Sequence, residues 1–320
     1  MPVFYELKMQ RPFPVNGRKF MLFPKILLLV VQLILAPLVF APVLPSSGAP
    51  TDAEQEVVLI GAGDIADCTD LSGAEATAKL LEANPGTVMA LGDLAYPDGT
   101  AENFKCYNKT WGRVKDRTRP AVGNHEFHSL GATYYFQYFG AAAGDPKTGY
   151  YSYDLGSWHI VVLNSECTEV GGCGAGSHEE KWLRADLSAH PSGCTLAYFH
   201  KPRFSSGLNH GNDPEVGAFW QALYDFNAEL IVNGHDHDYE RFAPQDPNAN
   251  ADPKRGIREF VVGTGGKNLR EFGTQKPNSE VRNNDTYGVL KLSLKPTGYD
   301  WKFIPQAGKT FTDSGSGSCH

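Results

Sequence analysis

Five short apolar runs in this chain each end on a residue able to bind a metal ion, four of them directly after a glycine. Val57–Ile60 leads into Gly61-Ala62-Gly63-Asp64, Val88–Leu91 into Gly92-Asp93-Leu94-Ala95-Tyr96, and Ala121-Val122 into Gly123-Asn124-His125-Glu126. Leu196–Phe199 meets His200, and Ile231-Val232 meets Asn233-Gly234-His235-Asp236-His237. Short apolar runs rich in β-branched or aromatic residues and closed by turn residues are buried strands. Strands are therefore predicted at Val57–Ile60, Thr87–Leu91, His159–Leu163, Thr195–Phe199 and Leu230–Val232. Helical spacing predicts Ala74–Ala83, His178–Leu187 and Pro214–Phe226, the last with Asp213 as cap and Pro214 in its first turn. Alternating strands and helices give an α/β sheet, and ligands at carboxyl ends of its strands are where such a sheet builds its site. Phe260–Val262, Tyr287–Leu294 and Tyr299–Phe303 follow as successive strands, the last two joined at Pro296-Thr297-Gly298. That adds a mixed sheet, or two packed sheets.

Charge separates the chain into two parts. Residues 1–50 carry a net +4, which leaves −11 on residues 51–320. An acidic body lacks the basic footprint needed to grip a polynucleotide, so long nucleic acids are excluded as partners. Mean hydropathy of −0.33 excludes a polytopic membrane protein. At the N-terminus, bases up to Lys25 precede an apolar run from Ile26 to Leu44 and the small, polar stretch Pro45–Pro50. This is the order of a secretory signal peptide, with an uncleaved membrane anchor as the rival reading of residues 1–50. The expected location is secreted, periplasmic or extracellular, with membrane attachment only through that segment. The six cysteines (Cys68, Cys106, Cys167, Cys173, Cys194, Cys319) all follow it, and an even number in an exported chain favours disulfides. Cys167 and Cys173 are spaced to close a small loop; the other pairings stay open. Residues 51–310 are read as one catalytic domain and 311–320 as a loose C-terminal tail.

Asp64, Asp93, Tyr96, Asn124, His200, His235 and His237 together supply two carboxylates, a phenol, an amide and three imidazoles. That set suffices for two metal ions sharing a bridge, the arrangement that clamps both oxygens of an in-line displacement. Taken singly, a Gly-Asp pair is usually a turn, and Tyr96 also reads as a core aromatic beside Pro97. His235 and His237, two imidazoles beside a buried strand, are costly without a partner. Repetition of the pattern at five strand ends carries the inference.

These blocks (GDIA, GDLAY, GNHE, the isolated His200 and GHDH) resemble those of the calcineurin-like metallophosphoesterases, and within them the purple acid phosphatase branch. Ala66 stands where most of the superfamily carries a histidine, and Tyr96 follows Asp93 by three residues, as in the purple phosphatases. The resemblance spans Val57 to Phe303 and implies a four-layer α/β/β/α sandwich of two mixed sheets. It also implies that Asp64, Tyr96 and His237 hold a first metal, iron(III), with Asp93 as bridge. Asn124, His200 and His235 would hold a second ion: zinc, manganese or iron(II). By the same resemblance His125 faces the phosphate and His210, ten residues past His200, is the general acid. Asn209 replaces a second histidine found there in many relatives and is counted, with Arg203, as substrate-binding. For Arg203 and Arg241 an ordinary salt bridge is the competing reading, and for His210 an exposed loop position.

The function implied is an exported phosphatase hydrolysing small phosphate monoesters by in-line attack of a metal-bound hydroxide. The alternatives are a phosphodiesterase or nucleotide hydrolase on the same metal core, and a catalytically silent binding protein.

Overall fold

The computed structural model describes residues 56–320; the signal or anchor segment expected at 1–50 lies outside the described residues. Strand β1 (Val57–Ala62) is followed by the short β2 (Ala66–Asp67), helix α1 (Ser72–Ala83), β3 (Thr87–Leu91) and the short β4 (Ala95–Tyr96). Then come α2 (Ala101–Lys109), β5 (Thr118–Ala121), α3 (Asn124–Phe127), α4 (Thr133–Phe139), β6 (Tyr151–Leu155) and β7 (Trp158–Val162). Next are α5 (His178–Ala189), β8 (Cys194–Tyr198), α6 (Gly217–Asp225), β9 (Leu230–Asn233), β10 (Tyr239–Phe242) and β11 (Arg258–Val262). The chain closes with β12 (Ser279–Asn283), β13 (Gly288–Lys295), β14 (Gly298–Pro305) and β15 (Ser314–Ser318).

Two mixed sheets result, ordered β15-β14-β13-β1-β3-β5 and β12-β10-β11-β9-β8-β7-β6. Period-two alternation explains how they stack. Along the second sheet Ile160, Val162, Leu196, Tyr198, Leu230 and Val232 join one buried cluster with Leu59, Val88 and Leu290 of the first sheet. Their neighbours Val161, Ala197, Phe199 and Ile231 turn the other way, onto Leu183 and Leu187 of α5 and Trp220 of α6. Both faces of that sheet are thus covered, which is why its strands read as unbroken apolar runs. With α1 flanking the first sheet, the order of layers is the α/β/β/α sandwich expected.

Two readings are corrected. The helix expected from Pro214 begins at Gly217. Asp213 does act as a local acceptor, but for the Glu215 N–H in the preceding turn. The C-terminal tail is not loose: Ser314–Ser318 pairs antiparallel with β14 over Gly298–Lys302, and Cys319 is disulfide-bonded to Cys194 at the start of β8. Further disulfides join Cys68 to Cys106 and close the Cys167–Cys173 loop.

At the end of the second sheet remote from the strand-end loops, buried His159 lies between two acids. Its Nδ1 is 2.9 Å from Asp154 and its Nε2 2.9 Å from Asp186. Carboxylates at both nitrogens call for a ring that donates from both. Burial would lower the pKa of His159, but the bonds to Asp186 and Asp154 outweigh it and raise it. A raised folded-state pKa stabilises fully below the unfolded value of about 6.5 and is lost as pH climbs through the folded value. His159→Gln should therefore cost about 1–3 kcal/mol at pH 6 and clearly less at pH 9, read from urea midpoints. A cost independent of pH would refute the protonated form.

Candidate metal centre

The strand-end loops bring the expected donors together. Tyr96 Oη lies 2.8 Å from Asp64 Oδ1, 3.2 Å from Asp93 Oδ2 and 3.2 Å from His237 Nε2, which is itself 3.3 Å from Asp64 Oδ1. On the other side of Asp93, His200 Nε2 lies 3.1 Å from Asp93 Oδ2 and 3.1 Å from His235 Nδ1. Asp93 Oδ2 is common to both groups. Donors about 3 Å apart match the edge of an octahedron with bonds of about 2.1 Å. Asn124 opens α3 directly after Gly123, and the next residue's N–H donates to Asp93 Oδ1 at 2.8 Å. Its own Oδ1 is buried and accepts no hydrogen bond.

The backbone fixes which nitrogens face inward. His200 Nδ1 donates to the Leu91 carbonyl and His237 Nδ1 to the Asn268 carbonyl, each at 2.8 Å. Both Nε2 lone pairs therefore point into the cluster, the tautomer a metal ligand needs. Three of the donors, Asp64, Asp93 and His235, sit at positive φ (59°, 51° and 73°). Non-glycine residues rarely adopt that region, and strain of this kind gathers at functional sites. The glycine before each makes close approach possible: a Cβ on Gly92 would lie 2.6 Å from the His200 ring.

Electrostatics describe a cluster short of positive charge. Burial alone would raise Asp93 and Asp64, yet the neighbouring histidines hold both carboxyls below their ordinary range. His200 is pushed up to about 10 by Asp93 despite burial. His235 is driven well below its usual value by burial and by His200. Burial, Asp64 and Asp93 push the Tyr96 phenol well up. Two buried carboxylates so close together call for positive charge, and a metal ion accepting the inward Nε2 lone pairs answers that need.

The profile of calcineurin-like phosphoesterases matches residues 52–239, more than half the chain. The chain belongs to the calcineurin-like phosphoesterase family. Among family relatives it is 25% identical over 226 residues to purple acid phosphatase 15 of Arabidopsis thaliana, covering 58% of this chain and 41% of that protein. It is 29% identical over 226 residues to purple acid phosphatase 21 of the same plant, covering 63% and 49%. The chain thus spans under half the length of those two relatives. In fold it is similar to a purple acid phosphatase from yellow lupin (Lupinus luteus) seeds, with a TM-score of 0.72 and 17% identity over 83% of this chain and 54% of that one.

Further residues surround the donors. His125 lies over Tyr96, ring centroids 4.3 Å apart, with Nδ1 bonded to the Pro97 carbonyl and Nε2 3.7 Å from Asp93 Oδ2. His210 stacks on His235 at 4.0 Å, and Asn209 beside it is exposed. Arg203 is a correction. Its guanidinium lies over Phe204, and the backbone N–H groups of Arg203 and Phe204 donate to Glu259, so the structure does not bring it to the cluster. Arg241 follows its salt-bridge reading, pairing with Asp313 and Glu280. Arg270, which no motif signalled, does reach the site: its Nη1 is 2.7 Å from His210 Nε2. Glu126, quoted only as part of a block, is wholly buried and accepts four backbone N–H groups of the donor loops.

Proposed function

We propose that the protein is an exported dinuclear-metal phosphatase acting on small phosphate monoesters. The observation that carries this reading is Asp93 Oδ2, shared between the Asp64–Tyr96–His237 group and the His200–His235 group. In this reading Asp64, Tyr96 and His237 hold one ion, Asn124, His200 and His235 the other, and Asp93 both. The unpartnered Asn124 Oδ1 and the two inward Nε2 lone pairs fit that role. Bound there, two ions supply Lewis acidity toward a phosphoryl oxygen and hydroxide at neutral pH for an in-line displacement. A phenol opposed in its ionisation by burial and two carboxylates becomes a ligand only beside a hard, highly charged cation. Iron(III) is accordingly proposed at Tyr96, with zinc, manganese or iron(II) at the second position.

The chain's own residues orient the ester. His125, over the Tyr96 ring, donates to a non-bridging phosphate oxygen. His210 and Asn209 border the departing side, and His210 passes a proton to the leaving alkoxide. Three disulfides support the oxidising compartment that a signal segment at 1–50 would reach.

The test is turnover by the secreted full chain, loaded with iron and a divalent metal, of an aryl phosphate monoester beside its diester. Monoester preference and a purple, phenolate-to-iron colour are expected. Diester preference would move the activity to phosphodiester cleavage, and retained metal with no turnover would leave a binding protein. His210→Ala should keep its metal and lose about 100-fold on alkyl phosphates but only a few-fold on 4-nitrophenyl phosphate. Equal losses on both would remove the general-acid role.

A further inference from the structure

Three cationic side chains border the metal cluster, and two are neutralised. Lys201 Nζ is 2.7 Å from Glu166, and Lys267 is paired with Asp67 while lying over the Tyr96 ring. The third, Arg270, has no carboxylate partner among the described residues. Its one side-chain hydrogen bond goes to His210 Nε2, and His210 stacks in turn on His235. Arginine can only donate, and one bond leaves most of its planar fork free. An unpaired guanidinium beside the metal-facing histidines is a receptor for an anion.

Its placement says which anion. The Arg270 N–H donates to the His237 carbonyl at 3.0 Å, and the Arg270 carbonyl accepts from Asn284. The residue is thereby anchored on the His210 side of the cluster. Just beyond it opens a polar cleft of about 670 Å³, lined by Phe272, Gln275, Arg282 and Asn284 and by the acids Glu280 and Asp285, which are paired with Arg241 and Lys309. In the phosphatase reading the phosphoryl group being cleaved would lie over the shared Asp93, with His210 on its leaving side. A second anionic group reaching Arg270, which is bonded to His210, would then sit on the part of the substrate that leaves.

We infer that Arg270 is a specificity residue selecting phosphate esters whose leaving group carries a second phosphate or carboxylate. The inference rests on the phosphatase reading above for its substrate and on Arg270 alone for its selectivity. A bidentate contact between guanidinium and phosphate or carboxylate adds both strength and direction.

Two pairs of phosphate esters differing by one anionic group test it with the metal-loaded full chain: fructose 6-phosphate against fructose 1,6-bisphosphate, and phenyl phosphate against 4-carboxyphenyl phosphate. In the wild type KM should be at least about tenfold lower for the more anionic member of a pair. Arg270→Gln should bring that ratio within about twofold, whatever change is common to both members, and Arg270→Lys should fall between. Selection of the bisphosphate but not the carboxylate names phosphate as the preferred group, and the reverse names carboxylate. Equal KM increases within each pair would overturn the inference, leaving Arg270 only a support for His210, as would ratios that the variant does not alter. The main-chain bonds that anchor residue 270 do not involve the guanidinium, so the variants should fold. If none of the four esters is cleaved, the phosphatase reading fails by itself. Calorimetric binding of 4-carboxyphenyl phosphate and phenyl phosphate, wild type against Arg270→Gln, then decides the anion contact: a lost preference sustains it, an unchanged one ends it.

Discussion

Asp93→Asn is expected to lose metal and activity together, with kcat/KM falling at least about 1,000-fold, or about 4 kcal/mol of barrier. One oxygen of this residue serves both donor groups: Oδ2 lies 3.2 Å from Tyr96 Oη and 3.1 Å from His200 Nε2. An amide keeps the shape and can still accept from the His125 N–H through Oδ1, as Asp93 does at 2.8 Å. It removes the negative charge that draws cations to both sides. Metal analysis should show two equivalents per chain in the wild type and one or fewer in the variant, at nearly unchanged far-UV circular dichroism. Full activity with a full complement of metal would remove Asp93 from the bridging position.

Most of the donor set was legible because each donor adjoins its own strand in sequence. A glycine followed by Asp64, Asp93, Asn124 or His235 needs no tertiary knowledge to be noticed. The strands were legible for the same reason, since burial on both faces leaves unbroken apolar runs. Arg270 was not, because its meaning lies in a contact with His210, 60 residues earlier, and nothing in Gly265-Gly266-Lys267-Asn268-Leu269-Arg270 announces it. Arg203 misled for the converse reason: it stands three residues past His200 in sequence, while its side chain turns onto the Phe204 ring and its backbone N–H donates to Glu259. The strand Ser314–Ser318 was hidden by its composition. Ser-Gly-Ser-Gly-Ser has little β propensity of its own, but Gly315 and Gly317 lie directly against the rings of Trp301 and Tyr299 on β14. That fit belongs to the partner strand and cannot be read from the tail.

Glu126 should give the largest loss of stability of any single side chain around the centre. Its Oε1 accepts from the N–H groups of Leu94 at 2.8 Å and Ala95 at 3.2 Å, and its Oε2 from those of Asp93 and Gly123, both at 3.0 Å. Three of these donors lie more than thirty residues before Glu126, beside Asp93, and the fourth, Gly123, directly precedes Asn124. Each buried N–H left without an acceptor costs about 1–3 kcal/mol. Glu126→Ala is therefore expected to destabilise by about 4 kcal/mol or more, a large share of a typical total of about 5–15 kcal/mol. Should that variant not fold, Glu126→Gln keeps the idea open to measurement. Its amide has one carbonyl oxygen for four donors and turns an NH2 toward N–H groups that need acceptors. Of similar size and shape, it tests hydrogen bonding apart from packing. The expected result is a urea midpoint well below wild type and metal affinity weaker by about 10–100-fold, because the loops carrying Asp93 and Asn124 are no longer tied together. Wild-type stability in Glu126→Gln would show that the side chain merely fills space. Lost stability with unchanged metal affinity would separate the folding role of Glu126 from any hold on the donors.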